Sequence, residues 1–232
     1  MLIFVAGTIL LTLGLAVLTT QTALLLRRGP LPVNPLLTWP DNIFRLLLIA
    51  LCLGLILTAQ WSAGLPTTAF GFVPFSLSRD LLGGVALGLL LPLVANALSI
   101  LILPGRGNAF YSRNAILTMR PHSRDQLVVI IAAAFPAALL EELLFRAMLL
   151  SGMSAALHLP IGLALVVSSL AFGSMHLAQG LWGALVTALI GALLGAALLL
   201  TGGFWLPLIA HWTMNSAQFT LAYLRPDLIG AE

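Results

Sequence analysis

From Leu2 to Leu26 the chain carries no ionisable side chain, and the same holds from Leu181 to Leu200. A span of the hydrocarbon core of a bilayer needs about 20 consecutive apolar residues, and both runs reach that length. The runs are continuous and do not alternate with polar residues. That excludes a transmembrane β-barrel and leaves helices, which satisfy their own backbone hydrogen bonds in lipid. Over the whole 232 residues, 60% are hydrophobic and 7% charged, against about 25% charged in soluble domains. The fold class is therefore all-α, a polytopic transmembrane helix bundle.

Apolar stretches mark candidate spans at Leu2–Leu26, Ile43–Ala59, Leu81–Leu103, Leu127–Met153, Ile161–Leu177, Leu181–Leu200 and Phe204–Leu224, about seven in all. The first lacks a basic leader and a small-residue cleavage site, and reads as an uncleaved helix. Basic residues are all arginine. Arg27, Arg28, Arg45, Arg106, Arg113, Arg120, Arg124 and Arg225 fall on one side of this topology and Arg79 on the other. The bias predicts an N-terminus outside and a C-terminus in the cytoplasm. Arginine without lysine points to a GC-rich, bacterial genome and hence to a bacterial inner membrane. The scattered charge is no nucleic-acid footprint, and the lone Cys52 excludes a disulfide framework and a cysteine zinc site.

Breaks are expected at Gly29-Pro30, Asn34-Pro35, Gly64-Leu65-Pro66, Pro104-Gly105, Pro160 and Gly202-Gly203. Gly183, Thr187, Gly191 and Gly195 form a small-residue stripe, and Gly84 with Gly88 a shorter one. Both read as helix-packing features without chemistry.

Ionisable residues inside a bilayer cost a few kcal/mol each and are functional hypotheses by default. They gather in three places: Glu141, Glu142 and Arg146; Phe172 and His176; His211 and Asn215. Glu142 and Arg146 are four apart and can pair on one helix face. Glu141 is rotated from Glu142 by about 100° and can face a different space, a cavity. His176 follows Phe172 by four, so its ring can pack on that residue and, with Glu141, polarise one water. His211 and Asn215, again four apart, can aim two donors at one point as an oxyanion hole does.

These three motifs, E-E-x-x-x-R, F-x-x-x-H and H-x-x-x-N, resemble in type and order those of the CPBP (CAAX protease and bacteriocin-processing, or Abi) intramembrane proteases, which include the type II CAAX prenyl endopeptidases. The resemblance covers about Phe135 to Asn215. It implies a membrane peptidase in which Glu141 and His176 activate water, His211 and Asn215 hold the oxyanion, and Glu142, Arg146 and Phe172 support them. It also implies a catalytic core in the last four spans: 1–126 would be N-terminal helices and loops, 127–224 the catalytic core, and 225–232 a cytoplasmic tail. Although the family has carried a metalloendopeptidase label, the prenyl-protease branch resembles a glutamate-type enzyme. The expectation is no metal and no cofactor, with zinc on His176, His211 and Glu141 as runner-up. The expected partners are the bilayer and a hydrophobic or lipid-modified protein or peptide substrate, with no nucleic acid.

Other readings stand beside this one. The acidic pair with Arg146 could merely fix packing, and each histidine alone could be an interhelical hydrogen bonder. His122 and His158 should be solvated loop residues. Trp39, Trp61, Trp182 and Trp205 should anchor at the interface, and Trp212 should face lipid, with the cavity wall as its alternative place. A noncatalytic membrane chaperone or bacteriocin-immunity factor could use the same scaffold, and a proton-coupled transporter could use the same acids. One point of geometry is unresolved: with the fourth helix starting at Leu127, Glu141 lies about 21 Å deep while His176 sits near the boundary. A helix beginning at Pro136 would remove the mismatch.

Overall fold

The structure, a computed structural model, describes residues 1–102 and 112–226. Leu103, the Pro104-Gly105 turn, Arg106 and the tail from 227 lie outside the described residues. Among those described the chain is helical without a strand. The order is α1 (Leu2–Arg28), α2 (Trp39–Ala63), α3 (Gly83–Ile102, entered through a π turn at Leu77–Leu82), a short α4 (Arg113–Met119), and α5 (Arg124–Glu142). α5 continues as a π segment, Leu143–Gly152, into α6 (Met153–Leu157). Then follow α7 (Ile161–Ser174), α8 (Leu181–Thr201) and α9 (Trp205–Leu224).

All seven predicted stretches are helices, but five are long and apolar enough to cross a membrane: Leu2–Arg28, Trp39–Ala63, Leu77–Ala97, Arg124–Leu157 and Leu181–Thr201. α7, with 14 residues, is too short. α9 has the length but carries Asn215, Ser216 and Gln218 among its apolar residues. The expected breaks fall where glycine is needed: Gly64 (φ +66) and Gly202 (φ +65) end α2 and α8 in the left-handed region. Asn34 caps the turn Pro35–Leu37 through Leu36 N–H.

Pro136 does not start a helix; it lies inside α5. The depth mismatch disappears for another reason. α6 and α7 are joined by a short exposed turn. Glu141 precedes the end of α6 by about the same number of residues as His176 follows the start of α7. The two arms of the hairpin therefore run back by a similar rise, about 24 Å, and the short α7 leaves His176 inside the bundle, beside Glu141.

The bundle is turned inside out relative to a soluble domain. Leu2, Leu10, Leu57 and Leu200 are exposed, while the largest fully buried side chain is Arg146. The π segment is buried on nearly every face, which is what an all-round apolar helix at the centre of a bundle requires. Ser168 of α7 donates to the Phe145 carbonyl at 2.8 Å and satisfies a backbone acceptor of that segment. α3 packs on α9 and α7 on α8 at close range. A Cβ on Gly88 would sit 2.4 Å from the Ala210 carbonyl oxygen, and one on Gly173 would sit 2.6 Å from that of Ala184.

Gly88→Ala should consequently push α9 away and destabilise the protein by about 1–3 kcal/mol. Gly54→Ala, where a Cβ meets nothing within 4 Å, should be neutral or slightly stabilising. Thermal unfolding of the two variants in detergent checks the difference; equal midpoints would refute the close α3–α9 contact.

Candidate active site

Glu141 and Glu142 end α5, where the helical rotation between neighbours sends them into different surroundings. The Glu142 side chain is 0% exposed and that of Glu141 31%. Glu142 is divided between two partners. Its Oε2 lies 3.2 Å from Arg146 Nε, one turn on, and its Oε1 is 2.7 Å from Nδ1 of His211 on α9. Arg146 lies with Cζ 4.3 Å above the Phe172 ring and Nη2 3.5 Å from the Gly191 carbonyl. The glycine stripe of α8 thus contributes to the site, because a Cβ at Gly191 would meet Phe172 at 2.9 Å. The sequence had given that stripe a packing role alone.

His176 lies just past the end of α7, where helix carbonyls lack partners. Its Nδ1 is 2.8 Å from the Phe172 carbonyl oxygen, and its ring packs on that of Phe172 at 4.7 Å. A carbonyl can only accept, so Nδ1 carries the hydrogen and donates. The same reasoning applies at His211, where Nδ1–H donates to the carboxylate of Glu142, itself beside a guanidinium. Both rings then turn Nε2 toward one atom: Glu141 Oε2 lies 3.6 Å from His211 Nε2 and 3.8 Å from His176 Nε2.

That arrangement conditions the expected oxyanion role. In a neutral His211 the Nε2 atom is a lone pair, and it becomes a donor only in the imidazolium form. Among the described residues no group of three or more His, Cys, Asp or Glu is placed to hold a metal ion.

Glu141, His176, His211, Asn215 and Phe172 all line one cavity of about 430 Å³. Asn215 sits one turn beyond His211, and Met214, Gln218 and Phe219 continue the same wall. Of these five, only His211 and Asn215 stand out in the sequence by their motif. The positions 211, 214, 215, 218 and 219 follow the spacing of one helix face, and that pattern was the available signal. Arg45 of α2 lines the cavity as well, where the sequence had given it a topological meaning only. His122 and His158 are exposed outside the helices as expected. Trp39 and Trp61 are largely exposed at the two ends of α2. Trp205 is partly buried and donates to the Val73 carbonyl at 3.0 Å. Trp212 neither faces only lipid nor walls the cavity: it donates to the Ile131 carbonyl at 2.9 Å and meets Phe135 edge-on, tying α9 to α5.

The cavity inside this bundle of apolar helices has a carboxylate and two imidazoles at its wall. Residues 123–217 match the family model described as Rce1-like, type II CAAX prenyl endopeptidase. Over that part, less than half of the chain but including all three motifs, the protein is similar to the CAAX proteases that its motifs resemble. With its long apolar helices this makes it an integral membrane protein. No curated protein and no solved structure matches the chain.

Removing one member of the buried Glu142–Arg146 pair leaves the other charge unpaired, which costs about 3–5 kcal/mol. Arg146→Ala and Glu142→Gln should therefore lower the thermal midpoint and the folded yield in detergent, while Glu141→Gln should not. A midpoint for Glu142→Gln within a degree or two of wild type would show that the pair does not hold the bundle together.

Proposed function

We propose that this protein is an intramembrane endopeptidase that hydrolyses a peptide bond of a hydrophobic or lipid-modified protein or peptide. The observation that carries the reading is the convergence of His176 Nε2 and His211 Nε2 on Glu141 Oε2 at the cavity wall. A water between Glu141 and His176 gives one proton to the carboxylate and hydrogen-bonds through the other to the His176 Nε2 lone pair. Its oxygen attacks the scissile carbonyl carbon. The oxyanion receives Nε2–H of a His211 imidazolium, steadied by Glu142, and N–H of Asn215. Glu141 then passes its proton to the leaving nitrogen as the C–N bond breaks. Glu142, Arg146 and Phe172 act by holding the histidines. Arginine without lysine supports placing the protein in a bacterial inner membrane, and the arginine bias supports an N-terminus outside and a C-terminus in the cytoplasm.

We propose this chemistry without a metal. Zinc on Glu141, His176 and His211 is the second reading. One observation favours it: both rings donate Nδ1–H to an oxygen acceptor and present Nε2 to the same point, as zinc-bound histidines do, although the three groups would have to draw closer, since as they stand no such trio among the described residues is placed to hold a metal ion. Zinc there would act as a Lewis acid on water or on the scissile carbonyl.

The test is cleavage of quenched hydrophobic peptides, one of them farnesylated near its C-terminus, by protein in liposomes with and without a strong chelator. Glu141→Gln should abolish cleavage, and Asn215→Ala should lower turnover by about 10²- to 10³-fold. Near wild-type cleavage by Glu141→Gln would remove it as the base, and loss on chelation would favour zinc. If no peptide is cleaved yet Glu141→Gln retains a peptide partner, a noncatalytic chaperone or immunity factor becomes the better reading.

A further inference from the structure

The cavity that holds Glu141 has a second charged wall. Arg45 lines it from α2, outside the matched residues 123–217. Among the described residues its guanidinium makes one hydrogen bond, from Nη1 to Asn42 Oδ1 at 2.6 Å, and no ion pair. Asp41, one turn earlier, is exposed at the helix start and accepts from the Thr38 hydroxyl. Arg45 interacts with Asp41 and with Glu141 through space only. Most of its five N–H donors are thus left without a protein acceptor. The surrounding wall, with Leu26, Leu36, Ile116, Met119 and Phe219, offers no other anion.

A guanidinium beside apolar walls is costly unless an anion meets it. We propose that Arg45 is a specificity-determining residue that binds a carboxylate of the peptide lying across Glu141. This rests on the peptidase reading. The carboxylate is either the peptide's own C-terminus or an acidic side chain near the cut. Arginine suits either, because its planar fork takes both oxygens of a carboxylate. Such a contact fixes how far from the anion the bond is cut, since Arg45 and Glu141 are both held by helices.

The test uses one apolar peptide in three forms: free C-terminus, amidated C-terminus, and amidated with a glutamate near the end. Wild type, Arg45→Gln and Arg45→Lys are compared in liposomes for kcat and KM. Wild type should prefer a carboxylate-bearing form over the plain amide by about tenfold or more in kcat/KM, mainly through KM. Arg45→Gln should bring that preference within about threefold, and Arg45→Lys should keep part of it. Preference for the free terminus alone assigns the terminal carboxylate; equal preference for the glutamate form assigns any nearby carboxylate. A wild type indifferent to the carboxylate, or an Arg45→Gln that loses kcat on all three forms alike, overturns the proposal. Binding of the same peptides, fluorescently labelled, to Glu141→Gln and to Glu141→Gln/Arg45→Gln separates the two readings. Carboxylate-dependent binding that needs Arg45 without cleavage in wild type would sink the peptidase reading alone. Cleavage without carboxylate preference would sink this one alone.

Discussion

Glu142 is the group on which the rest of the site depends. A carboxylate with 0% side-chain exposure has no solvent to support it, and its two oxygens are committed to Arg146 and His211. These contacts join the end of α5, the π segment and α9 into one unit, and Arg146 adds α7 and α8 through the Phe172 ring and the Gly191 carbonyl. In a bundle surrounded by lipid there is little hydrophobic force between helices. A buried ionic network of this kind therefore adds directional contacts to the close packing that holds the helices together. It also sets a tautomer, because the nitrogen of His211 that faces Glu142 is the one that must carry a hydrogen.

Close backbone approach is the second requirement. The polar groups are short, and they meet only if the helices behind them nearly touch. Gly84 and Gly88 let α3 lie against α9, and Gly173, Gly191 and Gly195 bring α7 and α8 together. What reads in one dimension as packing is therefore part of how the imidazoles are aimed. The cavity occupies the space where this close packing gives way, and α1, α2 and α4 form its other side.

The sequence made legible whatever depends on a single helix. The seven helical stretches and the different directions of Glu141 and Glu142 follow from periodicity, and the glycine-marked ends from turn chemistry. So do the Glu142–Arg146 pair and the Phe172–His176 ring contact. What it hid depends on two helices at once. That His211 bonds to Glu142 cannot be read from a separation of 69 residues, and Arg45 looked like one of several topological arginines. Pro136 misled because proline favours a first turn, whereas inside a membrane bundle neighbouring groups tolerate it mid-helix. Five of the seven stretches are long and apolar enough to cross a membrane; of the other two, α7 is short and α9 is polar on the face toward the cavity. The same polar face is what brought His211 and Asn215 to notice.

The turn between α6 and α7 sets a limit on how this chain can change length. It is exposed, with His158 in the left-handed conformation (φ 53). It is closed by Leu159 N–H on the Ser154 carbonyl at 3.1 Å and by the Ser154 hydroxyl on the Leu159 carbonyl at 2.8 Å. Extra residues that bulge outward there leave both arms in register. One residue added within either arm would shift everything beyond it by about 1.5 Å and 100°, carrying Glu141 or His176 out of reach of the other. Insertions and deletions are thus admissible at three surface positions and excluded from the two helical stretches on either side, a restriction on drift that no single substitution in those stretches would reveal.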